Sequence, residues 1–145
     1  MKKIYTIGYQ GRTFDEFVDM LLEKNVVHLV DVRSSPTSRR EEFRKEELKK
    51  RLFRKSILYV HMPELGGLIE GDYREYMKEE AWKNQFRELE ELAEEGVTAI
   101  MCLEKDPMRC HRRFIAERLA ERGWEVIHIG KGASWKEKSL DDFVG

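Results

Sequence analysis

Short apolar runs recur along the chain, and longer stretches with apolar residues three or four positions apart separate them. The first pattern is typical of strands buried on both faces, and the second is typical of amphipathic helices. The runs that predict strands are, in chain order, KKIYTIGY, VVHLVDV, ILYVHM, VTAIMCL and WEVIHI. Helical crossovers between such strands indicate a mainly parallel sheet.

Capping signals mark several of the predicted helix ends. Thr13 and Glu16 form a capping box at the start of the first helix. Asp106 and Pro107 predict the start of the last helix, with aspartate as the N-cap and proline at the first helical position. Gly123 predicts the end of that helix.

The predicted architecture is α/β: a single three-layer domain over residues 1–145, with a mostly parallel five-stranded sheet and helices on both faces. A chain of this length suits one domain and needs neither metal nor disulfides to fold. The tail, residues 130–145, is weakly patterned and is predicted to be a loop or a short helix.

The composition excludes two classes of protein. Hydrophobic residues make up 41% and charged residues 38% of the chain, which is too apolar for disorder and too charged for a membrane protein. The N-terminal apolar run is too short for a signal peptide, so we expect a cytoplasmic protein with no membrane partner. The net charge of −1 indicates no general attraction to nucleic acid, which stays a possible partner through a local basic patch.

Residue types that carry chemistry follow the predicted strands where each strand ends. The carboxyl ends of parallel strands meet at one edge of the sheet, and ligands bind there in open α/β folds. We therefore expect the functional site at this edge. The residues that gather there are Gly8, Tyr9, Asp31, Arg33, Ser34, His61, Glu64, Gly66, Gly67, Cys102, Glu104, Cys110, His111 and Arg112.

Both cysteines of the chain fall in the stretch CLEKDPMRCHRR. Cys110 lies in the predicted first turn of a helix, where free N–H groups and nearby arginines favour a thiolate, so its pKa should lie below about 8.5. Cys102, at the end of a buried strand, should react more slowly. An inert buried thiol is the alternative for Cys110, and core packing or a disulfide between the two is the alternative for Cys102. The Cys-x5-Arg spacing of phosphatases is absent from both positions.

The remaining candidates divide into acid–base and binding roles. Glu64 and His111 join Cys110 as the predicted catalytic residues. Arg40 follows the DVRSSP loop and could bind phosphate through its forked guanidinium, although its basic segment is also typical of a solvated face. Asp31 and Arg33 could equally form a structural pair. The predicted substrate-binding residues are Gly8, Asp31, Arg33, Arg40, His61, Gly66, Gly67, Glu104 and Arg112; no metal ligands are predicted, and the sequence identifies no cofactor.

The motifs TIGY, DVRSSP, HMPELGG and CLEKDPMRCHRR, in this order, resemble the family called domain of unknown function 488. The resemblance runs from about Tyr5 to Ile129. It implies the α/β fold and no particular activity. The positions that match the family are Gly8, Asp31, Arg33, Pro36, Glu64, Gly66, Gly67, Cys102, Glu104, Cys110, His111 and Arg112.

The leading functional hypothesis is an enzyme, a hydrolase or group transferase, that acts on an anionic, phosphate-bearing substrate such as a nucleotide or nucleic-acid component. Arginines would bind the anion, together with the N-terminus of the helix predicted from Pro107. The alternative is a non-catalytic module that binds a ligand or nucleic acid through its basic segment, Arg39 to Lys55. The sequence does not predict the oligomeric state.

Overall fold

A single sheet organises the computed structural model, which describes residues 2–130 and 133–136. Its strands are β1 (Lys3–Gly8), β2 (His28–Asp31), β3 (Leu58–His61), β4 (Thr98–Cys102), β5 (Glu125–Gly130) and β6 (Ala133–Lys136). Their order is β3-β2-β4-β1-β5-β6, and β1 to β5 are all parallel. The predicted five-stranded parallel α/β arrangement is confirmed.

The tail differs from its prediction. Residues 133–136, expected in a loop or short helix, form β6, which pairs antiparallel with β5 and gives the sheet a sixth strand. The exposed edge of a strand offers unpaired N–H and C=O groups, and these can pair with a chain segment whose own pattern is weak. The other tail residues, 131–132 and 137–145, lie outside the described part of the chain.

Helices cover both faces of the sheet. Leu21 and Leu48 pack in one core cluster with Leu29 of β2, whereas Trp82 and Leu119 pack in the other with Val30 of β2. Adjacent strand residues point to opposite faces, so these two clusters form the two interfaces of a three-layer structure. The helices are α1 (Phe14–Glu23), α2 (Lys45–Phe53), α3 (Tyr73–Tyr76), α4 (Glu80–Glu95) and α5 (Arg112–Glu121), with 3₁₀ turns at Glu41–Phe43, Pro63–Leu65 and Pro107–Arg109.

The connections that leave β2 and β4 go to opposite faces of the sheet. The chain after β2 continues into α2 on one face, and the chain after β4 continues into α5 on the other. Neighbouring strands that diverge in this way open a crevice at their carboxyl ends. The fold therefore places a crevice between the loops that follow Asp31 and Cys102.

The start of α5 corrects the sequence prediction. Asp106 does act as a cap, because its side chain accepts the N–H of Met108 at 2.9 Å, but it caps only the 3₁₀ turn Pro107–Arg109. Cys110 is extended, with φ −129° and ψ 150°, so the helical path is interrupted there. The α-helix begins at Arg112, and the proposed helix N-terminus at Pro107 is not available to a ligand.

No helix in the described part of the chain has the length and apolar character needed to cross a membrane.

Candidate functional site

A cleft of about 440 Å³ lies at the carboxyl edge of the sheet, between the loops that follow β1, β2, β3 and β4. We call it the thiol cleft because both cysteines line it. The structure brings together there many of the residues that the sequence placed at strand ends. Its wall includes Tyr9, Arg33, Gly67, Glu104, Arg109 and His111.

The two thiols are in direct contact. The Sγ atoms of Cys102 and Cys110 are 2.7 Å apart. Cys102 is buried, whereas Cys110 is partly accessible from the cleft. The sulfur of Cys110 also lies 3.5 Å from Nδ1 of His111 and accepts the backbone N–H of Arg112 at 3.4 Å. Cys110 thus has two neighbours that can donate a hydrogen bond to a thiolate, and His111 becomes a third when its Nδ1 carries a proton.

These neighbours separate the acidities of the two thiols. The hydrogen bond from Cys102 is the largest influence on Cys110, and with the contributions of His111 and the Arg112 N–H it lowers the pKa of Cys110 against the opposing effect of burial. The same hydrogen bond and burial raise the pKa of Cys102, although the charge of Arg112 opposes them. Cys110 is therefore the thiolate and Cys102 is the thiol that donates to it.

The hydrogen bonds of His111 fix its tautomer. Its Nε2 lies 3.0 Å from the carbonyl oxygen of Val32, and since a carbonyl can only accept, Nε2 carries a hydrogen. Nδ1 then faces Cys110 and can take the thiol proton or return it. A side chain at position 67 would crowd this ring, because a Cβ on Gly67 would lie 2.7 Å from Nδ1.

Arg112 holds the loop that brings the cysteines together. Its guanidinium is 1% exposed and donates to Oγ1 of Thr6 at 3.1 Å and to the carbonyl oxygen of Glu104 at 2.8 Å. Gly8 allows the same loop to approach β1, because a Cβ there would overlap the Glu104 carbonyl. The chain after Cys102 is thereby folded back so that Cys110 returns to the end of β4.

Asp31 and Arg33 form a buried pair. Nε of Arg33 donates to Oδ1 of Asp31 at 2.9 Å and Nη2 donates to Oδ2 at 2.7 Å, while the hydroxyl of Tyr59 also donates to Oδ2. Burial disfavours the charged guanidinium, yet the carboxylate prevails and raises the pKa of Arg33. Burial and the same carboxylate raise the pKa of Tyr59. The structural pair therefore exists, and it fixes Arg33 in the wall of the cleft.

Replacing Asp31 with asparagine should destabilise the protein by about 3 kcal/mol, because it leaves the Arg33 guanidinium buried without its counter-charge. Urea denaturation measures the free energy of unfolding. Tyr59→Phe is the matched control: it removes one hydrogen bond to the same carboxylate and should cost about 1.5 kcal/mol. Equally small decreases in the free energy of unfolding of both variants would contradict this account of the pair.

Two further candidates support neighbouring loops. Nε2 of His61 lies 2.7 Å from the carbonyl oxygen of Arg33, which ties the end of β3 to the loop after β2. Gly66 packs so closely on Ser34 that a Cβ would overlap it. Ser34 in turn accepts the N–H of Leu68 at 2.9 Å. These contacts hold together the loops that carry the residues of the cleft wall.

Arg40 and Glu64 lie outside the wall of the thiol cleft. Nε of Arg40 donates to Glu42 at 3.0 Å, and its guanidinium lies over the ring of Phe43. The carboxylate of Glu64 accepts the hydroxyl of Tyr76 at 3.0 Å. None of these contacts links either side chain to the two thiols.

Tyr9 was placed at the strand-end edge without an assigned role, and Tyr59 was not among the sequence candidates. Tyr9 stacks on Phe43, with ring centroids 4.3 Å apart, and receives a 3.4 Å hydrogen bond from Arg33. Its position directly after β1 was the available signal. Tyr59 lies within β3. The sequence pattern of a strand does not show whether a tyrosine donates a hydrogen bond to a buried carboxylate or only packs in the core.

Among the described residues, no group of three or more histidine, cysteine, aspartate or glutamate side chains is arranged to hold a metal ion. The chemistry that the arrangement of the cysteines and His111 supports is that of a thiolate with an adjacent proton acceptor.

A family model described as domain of unknown function DUF488 matches residues 13–72 and 69–119. No curated protein and no solved structure matches the chain. The matched residues include β2, β3, β4 and both cysteines of the thiol cleft, whereas β1 and Tyr9 precede the matched range. The chain belongs to the DUF488 family.

Proposed function

We propose that this protein is a cysteine-dependent enzyme, a hydrolase or group transferase, with Cys110 as its nucleophile. One observation carries the proposal: the sulfur of Cys110 lies in the cleft wall, 2.7 Å from the Cys102 thiol and 3.5 Å from Nδ1 of His111. A thiolate with a lowered pKa, access to a cleft and an oriented imidazole is the combination that nucleophilic cysteines require.

The reaction would divide between Cys110 and His111. His111 takes the thiol proton on Nδ1, and the thiolate then attacks an electrophilic centre of the substrate. A bond from sulfur to that centre forms, the bond to the leaving group breaks, and His111 returns the proton to the leaving group. Water in a hydrolase, or a second substrate in a transferase, then takes the group from sulfur and restores the thiol.

An anionic, phosphate-bearing substrate such as a nucleotide would meet the guanidinium of Arg109 in the cleft wall. The Arg33 guanidinium is held by Asp31, whereas the Arg109 side chain is 79% exposed. Within the described residues, the ion pair of Arg109 is a long 3.9 Å contact with Asp106, so its guanidinium is available to an incoming anion. Forked guanidinium groups bind phosphate oxygens with geometric specificity.

The alternative, a nucleic-acid-binding module, rests on the basic segment Arg39 to Lys55, which holds nine cationic and four acidic side chains. Carboxylates pair with three of these cations: Arg40 pairs with Glu42, and both Lys50 and Arg51 pair with Glu47. Binding of the remaining cations to a polyanion would release counterions, so its affinity should fall steeply as salt is added. We place the enzyme first because Cys110 and His111 line the thiol cleft and not this segment.

Trapping of a covalent intermediate tests the proposal. The full chain is incubated with a panel of nucleotides and other phosphorylated metabolites, quenched in acid and digested, and the peptides are analysed by mass spectrometry. We expect a substrate-derived adduct on Cys110, absent in Cys110→Ser and slower to form in His111→Asn. Turnover of a panel compound that persists in Cys110→Ser would overturn the assignment.

A further inference from the structure

A second cleft, of about 390 Å³, lies at the same edge of the sheet. The consecutive residues Glu104 and Lys105 separate the two clefts, because Glu104 lines the thiol cleft and Lys105 lines the second one. We call the second the arginine cleft. Its wall includes Arg12, Lys105, Asp106, Arg112 and His128.

The two arginines of this cleft are unusually deeply buried for charged residues. Arg12 is 3% exposed and Arg112 is 1% exposed. Nε of Arg12 donates to the carbonyl oxygen of Gly8 at 2.8 Å, and Arg112 donates to Thr6 and to the loop after β4. These bonds use only part of each guanidinium: Nη2 of Arg12 and Nε of Arg112 are buried without a hydrogen-bond partner. Buried N–H groups of this kind destabilise the folded protein when nothing accepts them.

The charges of the two arginines are also incompletely balanced. Within the described residues, neither guanidinium has a carboxylate oxygen within 4.0 Å. Burial lowers the pKa of Arg12, Glu16 opposes this effect, and the charge of Arg112 adds to it. Two cations therefore influence each other across a shared site, where Lys105 adds a third.

We propose that the arginine cleft binds a tetrahedral oxyanion, the phosphate group. Phosphate oxygens would accept the N–H groups that Arg12 and Arg112 leave unused, and the double negative charge would offset the two buried cations. The carboxylate of Asp106 also lines the cleft, where its charge opposes that of an anion, and its Oδ1 accepts the N–H of Met108. This site stands on its own geometry and does not depend on the chemistry of Cys110.

A titration of inorganic phosphate into the ¹⁵N-labelled full chain, at constant ionic strength, tests the site in the native protein. The Nε–Hε signal of Arg112 should shift progressively. That of Arg33, whose Nε–H is already bonded to Asp31, should stay in place and serves as the internal control. A site that binds phosphate specifically should be occupied below about 10 mM phosphate. If the Arg112 signal has not moved at that concentration, the proposal is overturned.

Calorimetric titration of variants tests the same site by affinity. Arg12→Met should weaken phosphate binding at least about tenfold, since it removes a charge-assisted contact. Arg113→Met is the matched control, because Arg113 is the next arginine on α5 after Arg112, lies over Phe114 and lines neither cleft; its effect should stay within about twofold. Equal affinity in all three proteins would contradict the assignment, and if Arg12→Met does not fold, the shift of the Arg112 signal decides.

A nucleoside monophosphate distinguishes the source of the phosphate group. If the group belongs to a larger ligand, the monophosphate should bind about tenfold or more tightly than inorganic phosphate, because the nucleoside adds contacts. If the site serves free phosphate, inorganic phosphate should bind at least as well. Both results support an oxyanion site, whereas binding of neither compound would exclude it.

Discussion

Iodoacetamide should alkylate Cys110 at least about 10³-fold faster than Cys102 in the native protein at about pH 6. Cys110 is a thiolate that lines an open cleft, whereas Cys102 is buried and its pKa is raised. Cys102 can react only when the chain opens, and opening of a core strand carries most of the global free energy of unfolding. Peptide mass spectrometry after timed quenching gives the rate at each cysteine.

Two substitutions at position 102 identify the cause of the low pKa. Cys102→Ala removes the hydrogen-bond donor and should move the midpoint of the pH–rate profile of Cys110, about 4 in the wild type, up by about one pH unit or more, because a donor to a charged group contributes about 1.5 kcal/mol or more. Cys102→Ser keeps a donor and should retain a midpoint close to that of the wild type. If the wild-type rate instead rises tenfold per pH unit up to about pH 8.5, Cys110 is an ordinary thiol.

Hydrogen peroxide should convert the wild-type protein to a disulfide between Cys102 and Cys110. The Cys110 thiolate attacks one peroxide oxygen, which gives a sulfenic acid and, after protonation, water. The adjacent Cys102 thiol then attacks the sulfenic sulfur, so that the disulfide forms and a second water leaves. Intact mass should show the loss of two hydrogens, and alkylation of both cysteines should stop until a dithiol reductant is added.

The reaction without the second thiol provides the control. Cys102→Ser should stop at the sulfenic acid, which a dimedone probe traps on Cys110, and should proceed to irreversible sulfinic acid on longer exposure. Wild-type protein that accumulates sulfinic acid without a disulfide would show that the two sulfurs do not meet in solution. Either result is read from the same peptide by mass spectrometry.

The edge of the sheet at which the site lies could be predicted from the sequence. The apolar runs fixed where the strands end, and helical crossovers require a parallel sheet, so Gly67, Cys110 and His111 had to approach one another. The pKa of Cys110 was expected to fall, and it does. Free N–H groups and nearby arginines were expected to act on the sulfur. The N–H of Arg112 does so, together with His111, but the largest influence is the thiol of Cys102, which the sequence did not predict.

The roles of the arginines could not be predicted because they depend on partners distant in the chain. Arg112 donates to Thr6, 106 positions away, and no local pattern records that contact. Arg33 follows Asp31 by two residues. This spacing is compatible both with a ligand-binding role for the two side chains and with a structural ion pair between them. Only the third partner, Tyr59 on the neighbouring strand, completes the buried network. The start of α5 was misplaced because the extended backbone of a single residue, Cys110, delays it.

The orientation of the imidazole limits the reactions that the thiol cleft can assist. Nε2 of His111 is bonded to the Val32 carbonyl, so the proton taken from Cys110 stays on Nδ1, on the same side as the attacking sulfur. In an in-line displacement at phosphorus, the leaving group departs opposite the nucleophile and out of reach of Nδ1. After addition to a trigonal carbon, the leaving group of the tetrahedral intermediate departs from beside the sulfur. Under the function that we propose, the histidine would therefore favour attack at a carbonyl-like carbon, and a phosphate on the substrate would serve for binding and be left intact.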